Sequence, residues 1–320
     1  MINNFNFRND LFIDLEYKAL YQNDILNIYH TFILGDCLDK LKLIEDNSIH
    51  LIITDPPYFL DGLDNKWNSN KINEKVKKSK VINGLPVGMK FDVKQGKRFQ
   101  DFYYRVSLEL IRVLKPGGFF LSFSQPRLFH RMAIAVEDAG FEIRDQYAWS
   151  YKQSQMKAFS QNHFVDKMNI SDEEKNRIKI KLDGRKTPQL KPCFESIMLA
   201  QKPRNGTFVK NWLDWEVGLI DTNQKLNGKS PATIMETDKP KKDIYNNHLA
   251  VKPVTLLEHL IRVFSKENQI ILDPFIGSGS TAIACQNSNR YCIGIEIDNN
   301  YLITAIKRIN DIGGKYVIRY

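Results

Sequence analysis

The tetrapeptide Asp55-Pro56-Pro57-Tyr58 follows a continuous apolar run at residues 49–54. Such a run is typical of a strand buried on both faces, and two prolines cannot continue a central strand, so the chain must leave the sheet there. The tetrapeptide then offers the carboxylate of Asp55, the main-chain carbonyl of Pro56 and the ring of Tyr58. These groups match the exocyclic amino group of a flat base, which would donate hydrogen bonds to the first two and stack on the third. A surface turn that contains prolines by chance is the alternative.

A glycine turn near the C-terminus carries the second group of candidate residues. Gly277 and Gly279 follow a predicted strand at residues 269–272 and precede a predicted helix at 281–286. Glycines permit a sharp turn and the close approach of a ligand, and the free N–H groups of a helix N-terminus attract anions. Glu296 ends the next predicted strand, 17 residues after Gly279, where an acid can accept hydrogen bonds from both hydroxyls of a ribose. The spacing favours a nucleoside site over an ordinary strand-to-helix turn.

Alternating strands and helices must position both groups. In the N-terminal half the predicted order is β-α-β-loop-α-β-α-β, which implies a mostly parallel sheet with helices on its faces, and hence an α/β fold. The strands are predicted at residues 30–34, 49–54, 119–124 and 141–149, and the later helices at 101–113 and 126–139. The rhythm breaks at residues 156–247, which we interpret as a separate, smaller lobe, and it resumes with a helical stripe at 256–264.

The late position of the glycine turn implies a circular permutation. A nucleoside-binding unit usually opens its sheet, yet only 24 residues follow Glu296. The remaining strands must therefore come from the N-terminal half of the chain.

The charge of the chain favours an acidic partner. Among 320 residues, 46 lysines and arginines outnumber 37 aspartates and glutamates, which gives a formal charge of +9. Residues 60–100 hold ten bases and four acids, an excess of +6, with little apolar periodicity, and we predict a long mobile loop there. Nucleic acid or an anionic membrane would attract this charge, and plain solubility is the alternative.

Other patterns exclude several classes of protein. The four cysteines (Cys37, Cys193, Cys285 and Cys292) are scattered without C-x-x-C spacing, which argues against a zinc site or a disulfide framework. Residues 1–14 lack the order of a signal peptide, and no apolar run approaches the roughly 18 residues of a membrane span. We therefore expect a soluble, cytoplasmic protein with reduced thiols, no metal ion and no membrane contact.

Together the two motifs resemble those of amino-group DNA methyltransferases of the permuted β class. In that class the Asp-Pro-Pro-Tyr motif comes first, a target-recognition region follows, and the cofactor motif comes last. Asp273-Pro274-Phe275 before Gly277-Ser278-Gly279 is closer to this family than to dehydrogenases, and the match covers about residues 31–152 and 247–307. Two further segments that resemble family motifs are residues 115–118 and 248–253.

The resemblance implies a Rossmann-like, circularly permuted sheet that binds S-adenosylmethionine. It divides the chain into an N-terminal extension (1–29), a catalytic half (30–155, with the mobile basic loop 60–100), a target-recognition region (156–247) and a cofactor-binding half (248–320). The residues that it assigns to the cofactor are Asp36, Lys252, Pro253, Asp273, Phe275, Gly277, Gly279, Ser280 and Glu296. For Asp36, a solvated turn acid is an equal interpretation.

The implied reaction is methylation of adenine N6 in a base flipped out of duplex DNA. Its catalytic residues would be Asp55, Pro56, Pro57 and Tyr58. Members of the family that methylate cytosine N4 more often begin this motif with serine. Because that difference is only a tendency, cytosine N4 stays open as the target. RNA, a protein amide and a non-catalytic DNA-binding protein are further alternatives, and a dehydrogenase would leave Asp-Pro-Pro-Tyr unexplained.

Double-stranded DNA is the implied partner. The basic residues placed to reach its phosphates after the catalytic motif are Lys71, Lys75, Lys77, Lys78, Lys80, Lys97 and Arg98. The side chains chemically suited to purine edges in the 156–247 region are Arg185, Lys186, Gln189 and Arg204. Because members of the family are often dimers, the resemblance also implies a homodimer. A cognate restriction endonuclease is a further implied partner, and an enzyme that acts alone is the alternative.

Overall fold

One sheet organises the chain, as seen in a computed structural model that describes residues 29–58, 93–152, 158–188, 190–240 and 251–319. Its strands are β1 (Tyr29–Leu34), β2 (Ile49–Thr54), β3 (Leu114–Ser124), β4 (Glu142–Ser150), β5 (Phe194–Gln201), β6 (Ile234–Glu236), β7 (Ile270–Asp273), β8 (Tyr291–Glu296) and β9 (Lys315–Arg319). From one edge to the other, the order of the strands is β6-β4-β5-β3-β2-β7-β8-β1-β9. The neighbouring strands are parallel except where β5 pairs with β3 and β4.

Helices cover both faces of this sheet. They are α1 (Cys37–Lys40), α2 (Val93–Val113), α3 (Phe129–Asp138), α4 (Asn162–Asp166), α5 (Asp172–Lys181), α6 (Phe208–Trp215), α7 (Val254–Phe264), α8 (Ser280–Asn287) and α9 (Asn299–Asp311). One apolar core lies under α7, α8 and α9, and the other lies under α1, α2 and α3. Among the described helices, none combines the length and the apolarity that a membrane crossing requires.

Strand β2 shows why the central strands of the sheet are apolar on both faces. Leu51 and Ile53 pack into the core under α7, whereas Ile52 packs into the core under α2. All six residues of β2 are buried, because helices cover both faces. The continuous apolar run that precedes Asp55 follows from this two-sided burial.

The strand order confirms the mostly parallel, circularly permuted α/β sheet. Strands β7 and β8 come from the C-terminal quarter of the chain, yet they lie between β2 and β1. Leu51 pairs with Ile271, and Ile33 pairs with Ile295. The carboxyl ends of β1, β2, β7 and β8 therefore meet at one edge of the sheet, which we call the carboxyl edge.

The predicted loop at residues 60–100 is wrong at its C-terminal end, because α2 begins at Val93 and includes residues 93–100. Gln95 and Phe99 are buried at helical spacing, while the charges of Lys97 and Arg98 point to solvent and obscured the period in the sequence. Residues 59–92, and with them Lys71, Lys75, Lys77, Lys78 and Lys80, lie outside the described residues.

The prediction of a wholly separate lobe at residues 156–247 is also wrong, since β5 and β6 belong to the main sheet. β5 lies between β3 and β4 and is antiparallel to both, with Ser196 opposite Ser124 and Glu195 opposite Trp149. Its last six residues are buried. The sequence marked an apolar run here, but pairing with strands more than 40 residues away carries no local signal. The boundaries proposed for the four regions otherwise stay predictions.

Candidate active site at the carboxyl edge of the sheet

One cavity of about 190 Å³ joins the two groups of residues that the sequence singled out. It lies at the carboxyl edge, where β2 and β7 are neighbours. From the first group, its walls include Asp55, Pro56, Pro57 and Tyr58. From the cofactor group, they include Lys252, Asp273, Phe275, Gly277, Ser280 and Glu296. Residues more than 200 positions apart in the chain thus face the same space.

The carboxylate of Asp55 is hydrogen-bonded through both of its oxygens. The hydroxyl of Tyr58 donates to Oδ1 at 2.5 Å, and the ammonium of Lys252 donates to Oδ2. Tyr58 lies in the same turn as Asp55, three residues later. Lys252 comes from a distant part of the chain, just before α7. Each oxygen keeps a second lone pair, so a further donor can bind Asp55 beside these two partners, but it must share the carboxylate with the charged ammonium of Lys252.

The ammonium of Lys252 is held by two carboxylates. Besides Asp55, it lies 3.2 Å from an oxygen of Glu195, and it sits 5.1 Å from the centre of the Phe123 ring. Burial by itself would lower the pKa of Lys252, but the charges of Asp55 and Glu195 outweigh it and raise the pKa above its ordinary value. The lysine therefore remains a cation, although its side chain is only 8% exposed.

Sequence reasoning missed Glu195. This residue directly precedes the buried part of β5, and because β5 is antiparallel to β3, its amino end lies at the carboxyl edge of the sheet. The one local signal is an acid directly before the apolar run Ser196–Ala200. The pairing of β5 with β3, which brings this acid close to Asp55, could not be predicted from the sequence.

Helix α2 supports Tyr58 from the side. The ring of Phe99 lies 6.4 Å from the Tyr58 ring and stacks on Tyr103 at 5.4 Å. Burial, together with the charge of Asp55, raises the pKa of Tyr58 well above its ordinary value, so its hydroxyl stays protonated. Lys97 and Arg98 directly precede Phe99 and are both exposed, so they lie on the solvent side of the α2 turn that packs against Tyr58.

Asp273 ties the two halves of the site together. Its carboxylate accepts hydrogen bonds from the hydroxyls of Thr54 and Thr281, each at 2.6 Å, and from the amide of Phe275 at 3.1 Å. Burial raises the pKa of Asp273 to about 6. The side chain thus joins the end of β2 to the turn after β7 and to the start of α8, and it fixes the cavity wall.

The glycine turn and Glu296 form the other wall. One oxygen of Glu296 accepts from the amide of Gly277 at 3.0 Å, and the other accepts from the amide of Asp298 at 2.8 Å. Burial raises the pKa of Glu296 to about 7. Gly279 has a φ of +84°, and a Cβ there would lie 2.7 Å from the Cβ of Ala305 in α9. Only glycine fits this position.

Three residues assigned to the cofactor do not line the cavity. Asp36 accepts from the amide of Leu38 and caps α1, Pro253 precedes α7, and Gly279 lies behind the wall against α9. Asp36 is nevertheless close by, since the amide of Gly35 donates to the main-chain oxygen of Glu296 at 2.9 Å.

The proposed DNA contacts are only partly described. Arg185 and Lys186 follow α5 and are exposed, and Lys186 pairs with Ser160 in an isolated bridge. Gln189 lies outside the described residues, and the guanidinium of Arg204 lies over the Phe208 ring. Across the described ranges, no cluster of histidine, cysteine, aspartate and glutamate could hold a metal ion.

The lining of the cavity has the chemistry of a nucleoside pocket. Glu296 supplies a carboxylate acceptor, and Leu257 and Ile276 supply apolar wall. A Cβ at Gly277 would meet no atom closer than 4.0 Å, so this turn faces open space into which a ligand can approach. These features fit a cofactor with ribose hydroxyls and a flat aromatic base.

Comparison with known proteins identifies the family. The DNA methylase family model matches residues 49–307. The chain is 30% identical over 302 residues to the type II methyltransferase M.HindIII of Haemophilus influenzae, a match that covers 86% of this chain and 93% of that protein. It is 26% identical to the DNA adenine methyltransferase YhdJ of Escherichia coli, over 89% of this chain and 84% of that protein.

A solved structure shares the fold. The putative DNA modification methylase TTHA0409 of Thermus thermophilus, in complex with S-adenosyl-L-methionine, superposes with a TM-score of 0.55 at 19% identity, over 91% of this chain and 98% of that one. With the family match over most of its length, the chain belongs to the DNA methylase family and is a site-specific DNA methyltransferase.

Proposed function

We propose that the protein transfers a methyl group from S-adenosylmethionine to N6 of an adenine in duplex DNA. The observation that carries this proposal is the shared cavity, which joins Asp55 and Pro56 to Gly277 and Glu296. The E. coli relative is named as a DNA adenine methyltransferase, and the motif here begins with aspartate, as in adenine-N6 members.

The cofactor would be held by the glycine turn and the carboxylates. When bound, S-adenosylmethionine supplies a methyl group already activated by its sulfonium. Glu296 accepts the ribose hydroxyls, and the turn from Phe275 to Ser280 holds the methionine part. Asp273 acts mainly through the turn, because its carboxylate already accepts three hydrogen bonds within the protein, whereas Glu296 accepts two. Asp36, Lys252, Pro253 and Gly279 complete the proposed set as neighbours of these groups.

The target amine would be held by the catalytic turn. Adenine N6 is a poor nucleophile because its lone pair is delocalised into the ring. Hydrogen bonds from its two hydrogens to Asp55 and to the carbonyl of Pro56 favour the tetrahedral nitrogen that develops as the methyl group arrives. Tyr58 stacks on the base, and Pro57 fixes the turn. The protein thus supplies alignment and electrostatic stabilisation, with no covalent intermediate.

Duplex DNA would lie across the carboxyl edge. Lys97 and Arg98 lie on the exposed side of the α2 turn whose Phe99 packs against Tyr58, and there they could reach phosphates that flank a flipped base. The residues after the catalytic motif that extend this surface in our proposal are Lys71, Lys75, Lys77, Lys78 and Lys80. Arg185 and Lys186 would contact DNA from the 156–247 region.

The names of the relatives support a proposal about the protein's location and partners. Two of the matched proteins carry the names of type II methyltransferases from bacteria. We infer a cytoplasmic enzyme that acts with a cognate restriction endonuclease, and a homodimer as its assembled form.

The proposal is tested by replacing Asp55. In Asp55→Ala we expect methyl transfer from tritiated S-adenosylmethionine to unmethylated plasmid DNA to fall at least ~100-fold, because the acceptor of the target amine is lost. Cofactor affinity, measured by calorimetry, should change less than threefold. Asp39→Ala, which removes an exposed acid of α1, is the matched control. A variant with near-normal turnover would refute the assignment, and single-molecule sequencing of the product would identify the modified base.

A further inference from the structure

Glu195 is not among the residues assigned to the reaction, yet its carboxylate contacts Lys252, which is bonded to the catalytic Asp55. Its carboxylate lies 3.2 Å from the ammonium of Lys252, and that ammonium is bonded to Asp55. The three side chains form one largely buried group with two negative charges and one positive charge. A single carboxylate would already neutralise the lysine, so the second needs a reason.

The reason lies in the occupancy of Asp55. In the structure its Oδ1 accepts from Tyr58 and its Oδ2 accepts from Lys252. A target amine that donates to Asp55 would use a remaining lone pair and would share the charge of the carboxylate with both donors, which weakens its own hydrogen bond. The ammonium of Lys252 is the stronger competitor, because a charged donor binds a carboxylate more tightly than a neutral one.

Lys252 cannot simply leave Asp55 for an apolar environment. Its side chain is 8% exposed and packs beside Phe123, so an unpaired charge there would be costly. Glu195 offers a second carboxylate that the ammonium already approaches at 3.2 Å, so the lysine can shift toward it without leaving its pocket. The charge stays paired throughout.

We propose that Glu195 is a positioning residue for methyl transfer: it receives the ammonium of Lys252 when the target amine binds Asp55. This inference rests on the proposed function, since it requires Asp55 to accept the amine. The hydrogen-bonded register of β5 between β3 and β4 holds Glu195 in place for this role.

The test separates this role from a structural one by measuring turnover and cofactor binding together. In Glu195→Gln, which keeps the size and removes the charge, kcat for methyl transfer to unmethylated plasmid DNA should fall at least tenfold. The Kd for S-adenosylmethionine should stay within twofold. Glu195→Asp, which keeps the charge on a shorter arm, should retain more activity than Glu195→Gln. Glu142→Gln, at the opposite end of the β4–β5 pair, is the matched control and should match the wild type.

A double-variant cycle tests whether Glu195 acts through Lys252. In a Lys252→Gln background, Glu195→Gln should lower kcat by less than twofold further, and the shifts in melting temperature of the two single variants should not add. Three results would overturn the inference: normal kcat in Glu195→Gln, an equal loss of cofactor affinity, or independent effects in the double variant. A wild-type protein without methyl transfer would instead refute the proposed function itself, and this inference with it.

Discussion

At the scale of single residues, burial sets the charge state of the carboxylates around the cavity. Glu296 is 5% exposed, and its pKa rises from 4.5 to about 7 although two amides donate to it. Between these two values the folded protein binds a proton that the unfolded chain has already lost. The stability that this group contributes is therefore present at low pH, and it is lost as the pH rises from 4.5 to about 7.

Replacing Glu296 by glutamine should remove this pH dependence. We expect the free energy of unfolding of cofactor-free Glu296→Gln, relative to the wild type, to be about 2 kcal/mol higher near pH 8 than near pH 5. Urea unfolding at the two pH values measures the difference. The same variant should bind S-adenosylmethionine more weakly, because the ribose loses its charged acceptor. An equal difference between variant and wild type at both pH values would contradict the assignment of a raised pKa.

At the scale of elements, local patterns predicted the strands and turns that carry the two motifs. The buried run before Asp55 and the strand that ends at Glu296 were readable because two-sided burial leaves a continuous apolar signal. The start of α2 was missed, since exposed lysines and arginines are interleaved with its buried residues in the first two turns. The place of β5 was missed because strand pairing depends on distant partners.

The turn between β7 and α8 contains two glycines that should tolerate a side chain to different degrees. Gly277 and Gly279 both have positive φ, +52° and +84°, but a Cβ on Gly277 faces open space and one on Gly279 meets Ala305 of α9. Gly277→Ala should cost about 1 kcal/mol through backbone strain alone. Gly279→Ala should cost about 3 kcal/mol, because overpacking against α9 is added.

Chemical unfolding of the two variants measures this contrast, and each serves as the control of the other. Similar losses of stability would show that the approach of α9 to the turn does not restrict position 279.

At the scale of the whole molecule, the permuted order of the chain places its chemistry at one edge. The sheet gathers β2 from the N-terminal half and β7 and β8 from the C-terminal quarter, so that Asp55 and Glu296 face one cavity. The formal charge of +9 acts on this scale too, since it attracts DNA from any direction. What the charge cannot do is orient the duplex, which requires basic side chains at the carboxyl edge.

The salt dependence of DNA binding distinguishes such local contacts from the overall field. Lys97 and Arg98 lie in the α2 turn that packs against Tyr58, whereas Arg262 and Lys266 precede β7 and lie at the opposite, amino edge of the sheet. Lys97→Gln with Arg98→Gln should lower the slope of log K against log salt by about 2, because two phosphate contacts and their released counterions are lost. Arg262→Gln with Lys266→Gln removes the same charge and should leave that slope unchanged. Fluorescence anisotropy of a labelled duplex across a series of KCl concentrations measures both, and equal slopes in the two double variants would place the DNA away from the catalytic edge.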